Sequence, residues 1–392
     1  MRSLQDLEDE YASMNDRHWR SVDKMVVVNE DGLKKTCVAL TSQAYWNLEP
    51  VGWNRLMSWL EPLRECGIFY NAVQIPGQKS GVLHWTLQQL LPFVDGVHSL
   101  DSSGVEALDL DKVLEPLRGL ELLFHGLVLT PSGIALAGVP RTGEMYKGVC
   151  RARQRLWEEC GRAGLPYKAP YENNLCHATL FRFSRVPSEQ QLAYIRDGIM
   201  QWKHCYFGSM RPVDWIFGHL SLRVRAEEIQ ILRHTTVPWL IAHRGLVDGP
   251  NKSLENKFSE IKRMVVGRQT CEIDVWFVHG TYFLGHDAPM ESIDLAYILD
   301  YKDYLLIHAK NVEAFSSFCF LRSHGGHDLH FFYHSNENVV FSSRGIVIPY
   351  PGETIYPGMM HMMPESATPK ANYGPVAICS DYINPVQGEN NF

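Results

Sequence analysis

The sequence predicts an α+β domain followed by an α/β domain, on three observations. Its 392 residues are too many for one ordinary core and suit two domains of about 100 to 200 residues each. Up to residue 236, strand-like and helix-like runs come in mixed order with a hairpin signal. Beyond Val237-Pro238 the runs alternate, as a parallel sheet with crossover helices requires. The expected division is an N-terminal arm over 1–30, a first domain over 31–236 and a second over 237–392.

The opening residues, MRSLQDLEDEYASMNDRHWR, are polar and acidic and carry little periodicity. KKTCVAL reads as a first strand. The segment from Trp46 to Leu63 has helical spacing, with Pro50 and Pro62 confining the helix and Gly67 supplying a stop. LELLFHGLVLTPSGIALAGV is two β-rich runs around the turn Thr130-Pro131-Ser132-Gly133. An amphipathic helix is expected from Thr142 to Cys160, then the strand LCHATLFRF. A capping box at Ser188 and Gln191 opens a helix to about Trp202. WIFGHLSLRV and EEIQILRHT are two further strands joined by a charged turn. In the second domain PWLIAHRG, TCEIDVWF, YFLGHD, YLLIHAK and LHFFYH read as strands, and SLENKFSEIKRMV and NVEAFSSFCFLRS as helices. QGENNF reads as a loose tail.

Composition narrows the function classes. Apolar residues are 45% and charged residues 21%, near the globular average, and no run approaches the ~18 uncharged apolar residues of a membrane span. The N-terminus lacks the basic start and apolar run of a secretory signal. Nine cysteines without a C-x-x-C pair or zinc spacing read as reduced thiols, so a soluble, cytoplasmic protein is expected. A net charge of −7 argues against holding long nucleic acid by phosphate neutralisation. Small phosphate esters remain suitable partners, because a pocket needs only a few cations.

Two strands carry the pattern His-x-Thr. In LHWTL, alternation puts His84 and Thr86 on one face and Leu83, Trp85 and Leu87 on the other. In CHATL it does the same for His177 and Thr179 against Cys176, Ala178 and Leu180. Phosphodiester cleavage needs a base for the attacking oxygen, an acid for the leaving oxygen and donors for the non-bridging oxygens. Two imidazoles can fill the first two roles and two hydroxyls the third. One His-x-Thr on a strand is more often a surface pair; two copies in apolar strands, the second continuing to Arg182, resemble the 2H phosphoesterase superfamily over about residues 35 to 234. The resemblance implies a bilobal α+β fold and a metal-free site. It assigns His84 and His177 to acid/base catalysis and Thr86 and Thr179 to phosphate binding. Arg182 follows as a substrate-binding candidate, although simple alternation sets it on the face opposite His177 and Thr179 unless the strand bulges.

The second domain carries IAHRG, SLEN, CEIDVWF, LGHD and IHAKN in order. Glu272 and Asp274, two apart on one strand, share a face and can hold one divalent cation, Mg2+ or Ca2+. His243 stands at a strand end, His286 can act opposite it, and Lys310 can contact a phosphate. A lone Glu-x-Asp is more often a solvated edge, but the ordered set resembles the glycerophosphodiester phosphodiesterase family. The resemblance covers His243 to Gly245, Glu255-Asn256, Glu272 to Asp274 and Gly285 to Asp287. It implies a TIM barrel, His243 and His286 as acid and base, Glu272 and Asp274 on the metal, and Arg244 on phosphate. Two departures stand out. His308 occupies the place of a third acidic ligand, and imidazole suits a hard cation poorly. The domain has about 155 residues where a complete barrel takes about 250, which implies a partial or trimmed barrel. Asp381, at the last strand end, is a candidate replacement for the missing carboxylate.

His324, His327, His330 and His334 lie close in sequence, but their spacing lacks the geometry of a zinc site. MMHMMPE reads as flexible packing. The leading function is hydrolysis of a nucleotide phosphodiester, a 2′,3′-cyclic phosphate, a 2′-5′ linkage or a cyclic oligonucleotide, without a cofactor in the first domain. A small nucleotide or RNA-end phosphodiester is thus the expected partner. The alternatives are a metal-dependent glycerophosphodiester or lysophospholipid phosphodiesterase in the second domain, and a protein that binds nucleotides without turnover.

Overall fold

The computed structural model describes residues 9, 11–13, 15, 35–68, 83–95, 98–130, 132–167, 175–222, 227–267, 269–335, 337–356, 358–366 and 375–383. The expected charged turn at 223–226 and the tail QGENNF lie outside them, as does most of the N-terminal arm. The chain separates into two compact units, Met1–Val237 and Pro238–Phe392. Among the described residues no helix is long and apolar enough to cross a membrane.

Unit 1 is built on strands β1 (Lys35–Leu48), β2 (Trp85–Asp95), β3 (Leu122–Thr130), β4 (Gly133–Pro140), β5 (Ala178–Arg182), β6 (Tyr206–Leu222) and β7 (Glu227–Thr236). They form one sheet in the order β2-β1-β6-β3-β4-β5, with β7 also on β6. Pairing is antiparallel throughout. The helices are α1 (Pro50–Glu65), α2 (Ser102–Glu106), α3 (Leu110–Leu114), α4 (Gly143–Arg162) and α5 (Glu189–Gln201).

Local chemistry explains the boundaries. Glu49 precedes a proline, which keeps it extended, and its carboxylate accepts from the Val51 and Gly52 amides to cap α1. Trp46 to Leu48 therefore finish β1 rather than open the helix, contrary to expectation. The helix also runs past Pro62, which stands in its last turn. Thr142 caps α4 through Met145 N at 3.2 Å, and the box of Ser188 with Gln191 opens α5. Such caps each contribute about 1 kcal/mol. The buried stripe of α4, Val149, Ala152, Leu156 and Cys160, packs with Leu40, Trp85, Phe124, Leu136 and Leu180 in the main core.

The described part of the N-terminal arm is docked. Tyr11, 6% exposed, packs with Val128, Ala135, Ala137, Tyr146 and Leu175. Asn15 Oδ1 accepts from Leu129 N at 2.8 Å.

Unit 2 contains β8 (Trp239–Ala242), β9 (Thr270–Val278), β10 (Thr281–Leu284), β11 (Glu291–Ile293), β12 (Leu305–Ala309), β13 (Phe331–Tyr333), β14 (Val339–Phe341), β15 (Val347–Pro349), β16 (Met360–Met362) and β17 (Ala377–Ser380). Strands β13-β12-β9-β8-β17-β16 are parallel neighbours in that order. The C-terminal half of β9 also pairs antiparallel with β10, and β10 with β11. The helices are α6 (Phe258–Val266), α7 (Leu295–Asp300) and α8 (Val312–His324). Parallel strands ending together bring their following loops to one edge, where chemistry gathers in such sheets.

Candidate active sites

In unit 1, Leu83, Trp85 and Leu87 of the first motif and Cys176, Ala178 and Leu180 of the second all enter the core, so alternation turns His84, Thr86, His177 and Thr179 away from it. His84 is buried, whereas Thr86, His177 and Thr179 are half-buried. The two motifs behave alike in one further respect. Thr41 pairs with Thr86 and Leu40 with Gln88, which leaves Leu87 as an extra residue in β2. Ala135 pairs with Thr179 and Ile134 with Phe181, which leaves Leu180 as an extra residue in β5. Each motif strand thus bulges at the leucine that follows its threonine.

The second bulge decides the position of Arg182. An extra residue restarts the alternation, so Ala178, Leu180 and Phe181 are buried while Thr179 and Arg182 are half-buried on the other side. Arg182 therefore faces with Thr179, against the expectation from an unbroken strand. Its guanidinium stands 6.0 Å from the Phe93 ring centroid of β2 and donates to Ser132 Oγ at 2.6 Å.

Strands β2 and β5 end the sheet order on opposite sides, yet they come within 8 Å of each other, Cα to Cα. A buried arginine of α4 ties them. Arg153, 3% exposed, donates from Nε to the Leu87 carbonyl at 2.7 Å and from Nη2 to the Leu175 carbonyl at 2.6 Å. One planar fork thereby fixes the first motif relative to the chain entering the second.

Tyr11 acts on that same entry. The β4–β5 ladder stops at Leu136 with Ala178, and beyond it the Tyr11 hydroxyl accepts from Cys176 N at 2.9 Å and donates to Gly138 O at 2.9 Å. Only glycine fits at 138, since a Cβ there would lie 2.0 Å from the Cys176 carbonyl oxygen. Burial raises the Tyr11 phenol well above its ordinary value, so it remains a neutral donor.

In unit 2, His243, Arg244, Glu272, Asp274, His286 and Lys310 all line one cavity of about 160 Å³, joined by His308 and His334. Its lining also includes the apolar side chains of Phe332, Tyr350, Met362 and Met363. His243 follows β8 directly, and β17 beside β8 pairs Ser380 with Ala242. That register brings Asp381 Oδ1 to 2.8 Å from His243 Nδ1. Asp381 therefore orients an imidazole and does not replace the missing carboxylate among the acidic pair. His286 Nδ1 is 2.6 Å from Asp287 Oδ1.

Glu255 and Asn256, the Glu-Asn pair of the SLEN motif, hold the groups around them in place. Glu255 Oε2 accepts from Arg244 Nη1 at 2.9 Å, and Asn256 grips Asp274 twice, donating from Nδ2 to Oδ2 at 2.7 Å and accepting from its amide at 2.9 Å. Arg244 and Asn256 both adopt left-handed backbone, φ 52° and 54°, a conformation that costs on the order of 1 kcal/mol or more outside glycine. Arg244 N in turn donates to Glu272 Oε2 at 3.1 Å. The strained turn is held by the groups it positions.

The electrostatics follow from burial and crowding. Burial, then the Asp274 charge, pushes Glu272 up to about 7. Burial opposes ionisation of Asp274 too, but His308, Lys310 and Arg244 outweigh it and hold that carboxyl well below the usual range. Burial pulls His308 down to about 4 despite Asp274, so its ring is neutral near pH 7. Burial also disfavours charge on His243, yet Asp381 and Glu272 raise it overall.

Glu272, Asp274 and His308 place one ligand atom each within 4.8 Å of one another. Asp274 Oδ1 is buried between His308 Nδ1 at 2.8 Å and Lys310 Nζ at 3.4 Å. Two buried carboxylates and an imidazole within that distance are a donor set that fits a divalent ion. Of the histidines clustered after His308, His330 stacks on Trp239 and meets Ser342 Oγ at 2.9 Å and His324 is exposed beside Ser323, while His334 stacks on His308 within the cavity.

No family model matches the sequence. No curated protein matches it either. Among solved structures, the chain is similar to the crystal structure of Escherichia coli LigT complexed with 3′-AMP, at 13% identity and a TM-score of 0.28, covering 52% of this chain and 98% of that one.

Proposed function

We propose that the chain is a phosphodiesterase whose N-terminal unit hydrolyses nucleotide phosphodiesters, such as a 2′,3′-cyclic phosphate, a 2′-5′ linkage or a cyclic oligonucleotide, by two-histidine catalysis. The observation that carries this reading is the convergence of two equally bulged His-x-Thr strands, tied by Arg153 on the core side and bridged by Arg182 over Phe93 on the other.

One of His84 and His177 takes the proton of the attacking water as its oxygen bonds to phosphorus. The other gives a proton to the departing ester oxygen as the P–O bond breaks, so the pair ends with its proton exchanged and no net charge change. The Thr86 and Thr179 hydroxyls and the Arg182 guanidinium donate to the non-bridging oxygens, where negative charge grows. A panel of cyclic and linear phosphodiesters, assayed in EDTA with the parent and with His84→Ala plus His177→Ala, tests this. EDTA-resistant turnover should vanish in the double variant; its survival there would reject the assignment.

A second reading is favoured by the unit 2 cavity. There a trimmed barrel would hydrolyse glycerophosphodiesters or lysophospholipid headgroups, with a divalent cation that polarises the phosphoryl oxygen when bound by Glu272 and Asp274. His243, oriented by Asp381, and His286 stand as acid and base. Arg244 and Lys310 meet the phosphate, and the apolar part of the lining receives the rest of the substrate. EDTA should silence this activity and leave that of unit 1.

A further inference from the structure

Strand register places His308 directly beside Asp274, since parallel β12 and β9 pair these two residues and, two positions earlier, Leu306 with Glu272. All three polar side chains are at least nine-tenths buried, at 2% for Glu272, 1% for Asp274 and 7% for His308. His308 Nδ1 stands 2.8 Å from Asp274 Oδ1 and 3.8 Å from Glu272 Oε1. The shorter approach puts the imidazole nitrogen and the carboxylate oxygen in direct contact. That spacing matches neighbouring corners of a coordination shell, whose edges are about 3 Å for bonds of about 2.1 Å. Phe332 stacks on the His308 ring, with centroids 4.6 Å apart, and His334 does so at 4.6 Å. The imidazole is therefore fixed in orientation by packing, as a ligand needs to be.

We propose that Glu272, Asp274 and His308 together hold a borderline first-row cation, Zn2+ or Mn2+, with His308 a ligand through Nδ1. The inference rests on the metal-dependent reading of unit 2 and changes its cofactor, since Mg2+ and Ca2+ favour all-oxygen shells while an imidazole donor favours transition metals. Lys310 Nζ, 3.4 Å from Asp274 Oδ1, and Arg244 Nε, 3.3 Å from Asp274 Oδ2, flank the position. Lys310 competes with the ion for Asp274, so Lys310→Met should tighten metal binding.

The full chain, stripped with EDTA and dialysed, is titrated with Zn2+, Mn2+, Mg2+ and Ca2+ by calorimetry, with Mn2+ followed also by electron paramagnetic resonance. Zn2+ should bind more tightly than Mn2+, and both at least about 10-fold more tightly than Mg2+ or Ca2+. His308→Ala should weaken Mn2+ binding by about 10- to 100-fold, and His308→Glu should shift preference toward Mg2+ and Ca2+. Anomalous scattering at the manganese edge from crystals of the unmodified chain should place the ion among the three groups, independently of how the variants fold. Equal affinity for Mn2+ and Mg2+, unchanged Mn2+ affinity in a folded His308→Ala, or an anomalous peak found only elsewhere would overturn the proposal. Glycerophosphocholine turnover on the same samples separates the two failures. Binding as expected without turnover removes the phosphodiesterase reading of this unit and keeps the ion site. Mg2+-supported turnover retained by His308→Ala removes the ion site and keeps the reading.

Discussion

The guanidinium of Arg182 lies 6.0 Å from the ring centroid of Phe93, which joins the second His-x-Thr strand to the first. A half-buried contact of this kind contributes about 0.5–2 kcal/mol to stability, whereas a charged hydrogen bond to a phosphate oxygen is worth about 1.5–3 kcal/mol. Arg182→Ala should therefore lower kcat/KM for a cyclic nucleotide by about 10- to 100-fold while moving the melting temperature little. Arg182→Lys should recover part of the rate, as a point charge without the planar fork. Steady-state kinetics beside a thermal melt separates these effects.

Arg153 holds both motifs from behind. Arg153→Met keeps much of the side-chain length but removes the donors to the Leu87 and Leu175 carbonyls, at a cost of about 1–3 kcal/mol for each carbonyl left without a partner. Urea denaturation should show this loss. The phosphodiesterase rate of the folded fraction should fall as well, because the two strands lose their common anchor.

Tyr11→Phe deletes one hydroxyl where the β4–β5 ladder ends, leaving the Cys176 amide without that acceptor. The expected cost is about 1–3 kcal/mol, with faster hydrogen exchange at Cys176 and reduced kcat from a less firmly held His177. A variant as stable and as protected as the parent would show that the arm does not support the second motif.

Asp381→Ala frees the His243 ring. Metal-dependent hydrolysis of a glycerophosphodiester should fall by about 100-fold or more, while EDTA-resistant hydrolysis of a cyclic nucleotide stays at the parental rate. Parallel assays of one preparation with and without EDTA check both halves.

Much of the local structure was legible because local chemistry sets it. The Ser188 box, the helix beginning at Thr142, the turn after Thr130 and the alternation through Trp85 and Ala178 each need only a few adjacent residues. What escaped the sequence depends on partners far along the chain. The bulges at Leu87 and Leu180 exist only relative to the register of β1 and β4, so the face of Arg182 could not be read from its own strand. Asp381 meets His243 only because β17 pairs with β8. Tyr11 is a single aromatic in a polar stretch, and nothing nearby marks it as the hydroxyl that meets Cys176 and Gly138. Pro62 misled in the other direction: a proline that would break a helix interior is tolerated in a final turn.

The most direct test of two histidines acting on one phosphate is the pH dependence of kcat for a 2′,3′-cyclic nucleotide in EDTA. A base and an acid working in the same step give a bell-shaped profile, and His84→Ala and His177→Ala should each abolish a different limb while lowering the maximum by about 100- to 10,000-fold. A profile whose limbs both survive in either variant would contradict the account.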